Sequence, residues 1–379
     1  MDKKQYLKNL KDYLHLVALY FNKKEATDFK IDESNISFFI NLSKMHSLTA
    51  LLYKVFKDTK VDIKEEYLKK LEEYYLVNVR KHVLFEQERK EMDNYFYLNQ
   101  IFYLPLKGII LKDYYCDPYT REFADNDIYF QGDDKLVKKF FTDRGYKVEQ
   151  FRKSNHDVYM KKPCLNFEMH RALFGETVDS QKIIEYFEKP KIKGWMPEIV
   201  QGCLLPDDFY IYFTAHSYKH FSNSGCGLRT LMDYYIFLKR SEENDTLDFK
   251  YINKELKKID LLDFSNRISS LAIKVFDEQE LNEDELNTLL FLASSGTYGT
   301  LENSVSKGIK KKGKSKYFWS RIFPPMSFYK SYYPWAYKTK VLIPIAWIMR
   351  FFRILFKNPK KATRELKMIS KSKEEKSGK

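Results

Sequence analysis

Cysteine, glycine and long apolar runs are all scarce in this chain of 379 residues. The four cysteines lack CxxC spacing, which argues against a disulfide framework or a zinc site and favours a reducing compartment. Only 13 glycines are present, so the composition is not that of a fibrous protein. Every apolar run is shorter than the roughly 18 residues that mark a membrane-spanning helix. Charges throughout the first 20 or so residues also argue against a signal peptide, so we expect a cytoplasmic protein.

The net positive charge of the chain comes from its C-terminal end. Residues 307–379 contain 21 lysines and arginines against 3 acidic residues, whereas residues 1–306 contain 45 against 49. The net charge of +14 therefore describes the tail and not the body. Because the body lacks interleaved basic and aromatic patches, we expect no specific nucleic-acid binding.

The pattern of apolar residues divides the chain into four regions. Residues 1–98 show helical spacing, with one long helix over about 63–98. Residues 99–200 carry short strand-like segments, and residues 201–305 return to helical spacing. Residues 306–379 form a basic, aromatic-rich segment and tail, which begins with a linker-like sequence, SKGIKKKGKSKYF. The fold class is therefore α+β, a small mixed sheet flanked by helical regions on both sides.

Three carboxylates in the strand-rich region are candidates for a metal site. Asp125 and Asp127 lie two apart on a predicted strand, so their side chains share a face and repel each other. Glu168 lies on a later predicted strand, and His170 shares its face. Carboxylate oxygens are ligands that Mg²⁺ or Mn²⁺ prefer. An isolated Asp-x-Asp is nevertheless more often a solvated strand edge than a metal site.

The order of the parts raises the significance of this pattern. A strand is followed by a Lys-Gly turn, a helix, a strand with Asp-x-Asp, a second helix and a strand with a carboxylate. The matching sequences are Leu106-Lys107-Gly108, Tyr114 to Pro118, Arg121, Asp125-Asn126-Asp127, Glu168-Met169-His170, His216 with His220, and Leu228-Arg229 with Asp233. In this order the chain resembles the uncharacterised nucleotidyltransferase family of bacteria, within the polymerase-beta-like superfamily. Two residues depart from the family pattern, since Asn126 replaces an aliphatic residue and Ala124 replaces Ser or Gly.

The resemblance implies transfer of a nucleoside monophosphate from a nucleoside triphosphate to an unknown acceptor. Asp125, Asp127 and Glu168 would hold Mg²⁺ or Mn²⁺, with Glu168 as a ligand or as the base. Lys107 and the backbone N–H groups after Gly108 would bind the β- and γ-phosphates, with Arg121 as a second phosphate ligand. His170 is also assigned to cofactor binding. The acceptor could be a small molecule, a saccharide or a protein.

The remaining polar residues have simpler interpretations. His216 and His220 are spaced for one helix face, and a structural or substrate-contacting role is favoured over metal binding. Asp233 is most simply the i, i+4 partner of Arg229. His156 either faces the site from a neighbouring strand or ends a turn.

The sequence VLIPIAWIMRFFRILFK permits two arrangements of a basic, aromatic helix. It could lie in the headgroup region of an anionic membrane, or it could pack its apolar side on the protein body. The family resemblance slightly favours the packed arrangement.

Two other classes of function stay open. One is a phosphotransferase or another reaction on the same fold. The other is a degenerate, non-catalytic module that binds a nucleotide or a partner, an outcome with which Asn126 is consistent.

Overall fold

A computed structural model gives the structure of residues 2–26, 29–175, 180–188, 200–297, 299–357 and 359–371. Within these residues, helices surround one five-stranded mixed sheet, which confirms the predicted α+β fold. Part of the basic tail, residues 372–379, lies outside the described residues.

Helices occupy most of the chain outside the central region. Those before or within the sheet region are α1 (Lys3–Phe21), α2 (Glu33–His46), α3 (Thr49–Asp58), α4 (Glu65–Leu98), α5 (Gly108–Leu111), α6 (Asp134–Asp143) and α7 (Gln181–Tyr186). Those of the next region are α8 (Pro206–Asn223), α9 (Leu228–Glu243), α10 (Phe249–Lys258), α11 (Leu262–Phe276) and α12 (Glu283–Ser295). The long helix predicted over about 63–98 is α4.

Five short strands form the sheet at the positions that the apolar runs predict. They are β1 (Phe102–Pro105), β2 (Asn126–Gln131), β3 (Lys147–Gln150), β4 (His156–Lys161) and β5 (Leu165–His170). Their spatial order is β1-β2-β5-β4-β3, and only β2 and β5 are parallel. The central pair is therefore β2 and β5, the two strands that carry the candidate carboxylates.

The two faces of the sheet have different partners because side chains alternate along each strand. Ile128 and Phe167 belong to a buried cluster that includes apolar residues of α4 and α6. The alternate residues Asp127, Glu168 and His170 lie on the opposite face. On that face Tyr129 joins a second, larger cluster that is shared by α1, α3 and helices α8 to α12. One face of the sheet is thus closed by α4 and α6, and the other carries polar side chains toward α8.

The end of the described chain is helical where the sequence predicts a linker. Its helices are α13 (Leu301–Lys312), α14 (Lys314–Ile322), α15 (Met326–Tyr332), α16 (Pro334–Lys338), α17 (Ile343–Lys357) and α18 (Pro359–Lys371). The prediction that SKGIKKKGKSKYF is a linker is wrong, because this segment is helical apart from Gly313, which has φ of +76° and separates α13 from α14. Lysine is a good helix former, and the buried side chains of Val305, Tyr317 and Ile369 form a small core between α13, α14 and α18.

Candidate active site

Two of the three candidate carboxylates are neighbours across the central strand pair. Asp127 on β2 lies opposite Glu168 on β5 in the parallel register. The prediction that Asp125 lies on the strand is wrong, because β2 begins at Asn126. Asp125 directly precedes the strand and is only two residues from Asp127. The sheet therefore gathers the three carboxylates at one place, near the start of β2.

Close packing of these carboxylates changes their acidity. Burial, together with the charges of Asp127 and Asp125, raises the pKa of Glu168 to about 7. Burial and the charge of Asp127 also raise the pKa of Asp125. Carboxylates that repel each other on neighbouring strands favour a cation between them. The oxygen donors and their mutual repulsion thus fit a divalent metal ion.

Lys107 supplies a cation to this cluster from the turn between β1 and α5. Its Nζ lies 2.5 Å from Oδ1 of Asp127. Burial opposes the ammonium charge, but the charges of Asp127 and Asp125 outweigh burial and hold the pKa of Lys107 above its usual value. Lys107 has φ of 49° and ψ of −117°, a backbone conformation that glycine adopts far more readily than lysine. Strain of this kind is concentrated at functional sites, and here it keeps an ammonium beside Asp127.

Asp127 is held on a second side by a histidine. Nε2 of His170 lies 2.8 Å from Oδ1 of Asp127, and both side chains are buried. Burial opposes ionisation of Asp127, but Lys107 and His170 outweigh it and lower its pKa below the usual value. Asp127 is therefore a fixed carboxylate, while Glu168 beside it is poised to exchange a proton near neutral pH.

Gly108 is required by packing. A Cβ at this position would lie 3.0 Å from Cβ of Phe123 and 3.4 Å from Nη1 of Arg121. The backbone N–H groups of Ile109 and Ile110 already donate to Leu106 and Lys107 within the turn. Those two N–H groups are thus committed inside the protein, in contrast to their predicted role in phosphate binding.

We expect Gly108→Ala to lower the melting temperature by several degrees. The added methyl group must displace Phe123, and overpacking of this kind costs about 1–3 kcal/mol. In a domain of this size each kcal/mol corresponds to roughly 2–4 °C. Differential scanning calorimetry measures the shift, and an unchanged melting temperature would show that the turn has room for a side chain.

Arg121 is committed to a buried ion pair. Its Nε and Nη2 donate to the two carboxylate oxygens of Asp233 on α9, each at 2.8 Å, and the hydroxyl of Tyr115 donates to the same carboxylate. Arg229, the helix partner predicted for Asp233, donates to the carbonyl oxygen of Glu122. These contacts favour a structural role for Arg121, which ties the segment before β2 to α9, over the predicted phosphate contact.

Asn126 faces away from the carboxylates. It is fully buried on the α4 side of the sheet, where Nη1 of Arg89 donates to its Oδ1 at 2.6 Å. The amide oxygen thus gives Arg89 a partner inside the core, and the strand keeps its register with β5. Asn126 therefore replaces an aliphatic residue without displacing Asp127.

Several residues of the site were not predicted, and most of them lie on α8. Burial is the main cause of the lowered pKa values of His156 and His170, and the charge of Lys219 lowers both further, which places its ammonium close to the site. Tyr212 is buried within the electrostatic influence of Lys107 and Asp127. Tyr212, Lys219 and the two helix histidines follow one helical face, and this spacing was the signal that could have identified them.

His216 and His220 lie in the same part of the molecule but form a pair with each other. Their Nε2 atoms are 3.0 Å apart. Burial lowers the pKa of His220 to about 4 and that of His216 well below its usual value, so both are neutral at pH 7. A hydrogen-bonded neutral pair agrees with the structural or substrate-contacting role favoured from the sequence.

His156 faces the site, which settles the alternative that the sequence left open. It lies opposite His170 in the antiparallel register of β4 and β5. Its Nε2 is 3.7 Å from Oε2 of Glu168. Burial and the charges of His170 and Lys107 lower the pKa of His156 to about 4.

Comparison with known families agrees with this architecture. Residues 32–277 match the model of a family described as uncharacterised nucleotidyltransferase. The chain belongs to this nucleotidyltransferase family. The match begins directly before α2 and ends directly after α11, so it includes the sheet, all three carboxylates and the helix that carries Lys219. No curated protein and no solved structure matches the chain.

Proposed function

We propose that the protein transfers a nucleoside monophosphate from a nucleoside triphosphate to an acceptor hydroxyl or phosphate, with Mg²⁺ or Mn²⁺ as cofactor. The observation that carries this proposal is the register of Asp127 beside Glu168, with Asp125 and Lys107 at the same place. Membership of the nucleotidyltransferase family supports the class of reaction.

Metal ions would be held by Asp125, Asp127 and Glu168, and when bound they would neutralise charge on the entering and leaving oxygens. His170 fixes the orientation of Asp127 through its hydrogen bond, so that this carboxylate is preorganised. Asp127 and Glu168 thus have different tasks, because the pKa of Asp127 is lowered below its usual value whereas that of Glu168 is raised to about 7.

The basic residues of the site would bind the triphosphate. Lys107 lies on the β2 side of the carboxylates, and Lys219 extends from α8 with a pKa lowered by burial and by the charge of Lys107. Two ammonium groups that repel each other gain stability when an anion lies between them. We therefore assign the triphosphate to the space between the turn at Lys107 and the face of α8.

In the transfer, the acceptor oxygen forms a bond to the α-phosphorus as the bond from that phosphorus to pyrophosphate breaks. The acceptor loses a proton in this step. Glu168, with a pKa near 7, is suited to receive the proton directly or to bind a metal that acidifies the acceptor. These are the same two roles, base or metal ligand, that the family resemblance implies for Glu168.

Transfer of label from each of the four α-³²P-labelled nucleoside triphosphates to a cell extract tests the proposal. We expect one triphosphate to label an acceptor in the presence of Mg²⁺ or Mn²⁺, and Asp127→Asn to abolish that labelling. Asp143→Asn, which changes an exposed carboxylate on α6, is the matched control and should label normally. Equal labelling by the Asp127 variant would refute a catalytic site and favour the non-catalytic binding module.

The pH dependence of metal binding follows from the acidity of Glu168. A carboxyl group whose pKa is raised from 4.5 in the unfolded chain to about 7 contributes stability below the lower value. That contribution is lost as pH rises through about 7, because the ionised carboxylate then faces Asp127. A divalent cation relieves the repulsion, so we expect Mg²⁺ to raise the melting temperature more at about pH 8 than at about pH 6. In Glu168→Gln, the rise in melting temperature caused by Mg²⁺ should be the same at both pH values. If the rise in this variant still depends on pH as it does in the wild type, another group is responsible for the effect.

A further inference from the structure

A second type of metal ligand lies beside Glu168. His156, Glu168 and His170 each offer one ligand atom, and these three atoms lie within 4.8 Å of one another. Oε2 of Glu168 is 3.7 Å from Nε2 of His156 and 3.8 Å from Nε2 of His170. Both distances are too long for hydrogen bonds. They are close to the separation of about 3.3–3.4 Å between ligands of a tetrahedral zinc ion.

A neighbouring side chain orients both imidazole rings. Oδ1 of Asn155 lies 3.4 Å from Nδ1 of His156, and Nδ2 of Asn155 lies 3.5 Å from Nδ1 of His170. The Nδ1 atoms are thereby turned to Asn155 and the Nε2 atoms to Glu168. Oδ1 of Asn155 can accept from the Nδ1–H of a metal-bound His156, which is the usual support of a metal-binding histidine. Nδ2 of Asn155 is a donor, so Asn155 gives no such support to His170.

From this geometry we infer that His156, Glu168 and His170 bind one borderline transition-metal cation of the zinc class. Imidazole nitrogen favours such ions over Mg²⁺, which prefers an all-oxygen shell. His170 would change its tautomer on binding, because its Nε2 now donates to Asp127. The inference refines the proposed metal set and rests on the proposed function only through the shared Glu168. The Mg²⁺ ion that accompanies the triphosphate would remain at Asp125, Asp127 and Glu168, so that Glu168 is common to both sites.

Titration of Co²⁺ into the metal-stripped full-length protein, without nucleotide, tests this site through visible ligand-field absorption. We expect stoichiometric binding with the intense bands of a four-coordinate site, competition by Zn²⁺ and none by excess Mg²⁺. His156→Gln and His170→Gln should each weaken binding at least tenfold. His15→Gln, which changes a partly exposed histidine on α1, should bind normally.

Weak six-coordinate bands, or displacement of Co²⁺ by equal concentrations of Mg²⁺, would overturn the histidine site. Because no nucleotide is present, this failure is distinct from a failure of the transferase proposal. Normal label transfer in His156→Gln together with lost Co²⁺ binding would show that the histidine site exists and is not required for transfer.

A different observation concerns the surface formed by the last described helices. Among the described residues, 16 of the 25 exposed large apolar side chains lie between Trp319 and Leu366. Val341, Phe351 and Phe356 are 85%, 61% and 81% exposed. The sequence favours packing of this segment on the body, whereas most of its described apolar side chains are exposed in the structure. This segment also lies beyond the matched family residues, so membership does not explain it.

The same surface is positively charged. Exposed basic residues accompany the aromatic ones, among them Lys316, Lys338, Lys340 and Arg353. Glu365 is the one acidic residue between Lys307 and Lys371, and it is buried against Tyr317 and Arg321. Exposed tryptophan, phenylalanine and lysine without negative charge is the composition of an interfacial membrane surface.

Geometry limits how such a surface can meet a bilayer. None of the described helices is long and apolar enough to cross a membrane. Helix α17 has 15 residues, which corresponds to about 22 Å of length. Ile348, Phe352 and Phe356 are spaced by four residues and form one exposed stripe along the helix. The stripe can therefore enter the headgroup region with the helix axis parallel to the membrane.

The exposed apolar stripe and the surrounding basic residues point to an anionic lipid surface as the partner of α17. The apolar side chains would enter the acyl boundary, and the lysines and arginines would contact lipid headgroups. This proposal is independent of the transferase chemistry. It places the carboxylate site on a protein that is held at a membrane surface.

Co-sedimentation of the full-length protein with lipid vesicles tests the proposal. We expect binding to phosphatidylcholine vesicles that contain about 30% phosphatidylserine, weaker binding at high salt, and little binding to phosphatidylcholine alone. Ile348→Gln, Phe352→Gln and Phe356→Gln together should abolish it. Loss of each exposed basic residue should lower partitioning roughly fivefold.

Leu76→Gln with Val77→Gln is the matched control, because these apolar side chains are equally exposed on α4. That variant should bind vesicles as the wild type does. Equal binding to neutral vesicles, or absence of binding to both, would overturn the proposal. Self-association in analytical ultracentrifugation that the triple variant abolishes, without vesicle binding, would show that a second copy covers the stripe.

Discussion

Asp233→Asn is expected to lower the melting temperature by roughly 10 °C, the largest stability effect that we predict for a single substitution. Asp233 neutralises Arg121 through two hydrogen bonds of 2.8 Å, and both side chains are almost completely buried. Breaking a buried pair leaves an uncompensated charge, at a cost of about 3–5 kcal/mol. Each kcal/mol corresponds to roughly 2–4 °C in a domain of this size.

Two further variants separate the buried charge from other consequences of the change. Glu243→Gln removes an exposed partner of Arg240 and should cost about 0–1 kcal/mol. Arg121→Met combined with Asp233→Leu replaces both charges by apolar groups and should recover much of the lost stability. Calorimetry measures all three variants. A melting temperature of Asp233→Asn within a degree or two of wild type would contradict the buried ion pair.

The second large effect is expected on transfer at Lys107. Lys107→Met and Lys107→Gly should both lower kcat/KM by about 10²–10³-fold, since each removes a preorganised cation from the phosphate-binding side. The two variants should differ in stability. Glycine adopts the conformation with φ of 49° without strain, and such strain costs about 1–3 kcal/mol.

We therefore expect Lys107→Gly to melt several degrees above Lys107→Met, although both are poor transferases. Steady-state kinetics with the identified triphosphate, combined with calorimetry, gives both quantities. Normal transfer by the glycine variant would show that the turn conformation matters and the ammonium does not. Equal melting temperatures would remove the argument that strain is retained for the sake of the lysine.

The positions of the strands and of the long helix could be predicted because the local pattern is unambiguous there. The segment LNFEMH alternates in the strand period, DNDIYF ends in a short β-branched and aromatic run after a turn, and α4 contains neither proline nor glycine. Asp127 and Glu168 were placed on strands for the same reason. Their direct juxtaposition, however, depends on β5 pairing in parallel with β2, which no local pattern specifies.

The residues that sequence reasoning missed or misassigned depend on tertiary contacts. Arg121 is paired with Asp233, which lies 112 residues away, and Arg89 reaches Asn126 across the sheet face. Lys219 lies in a region that the apolar spacing identifies only as helix. Its contribution follows from the packing of α8 over the carboxylates, which the sequence does not encode locally.

Helical structure at the start of the basic segment was missed for a different reason. Lysine, glycine and serine together are typical of a linker, but lysine is also a good helix former. Burial of Val305 and Tyr317 supplies the tertiary contacts that stabilise α13 and α14.

The proposed metal-triphosphate site at Asp125 and Asp127 is tested most directly by thermal unfolding with each nucleoside triphosphate, with and without Mg²⁺. The wild type is compared with the double variant Asp125→Ala and Asp127→Ala. A ligand at about 100 times its Kd adds roughly 2.7 kcal/mol, which corresponds to several degrees. We predict a Mg²⁺-dependent rise for one triphosphate that the double variant loses. An equal rise in the double variant, or none with any triphosphate, would contradict a metal-triphosphate site at these carboxylates.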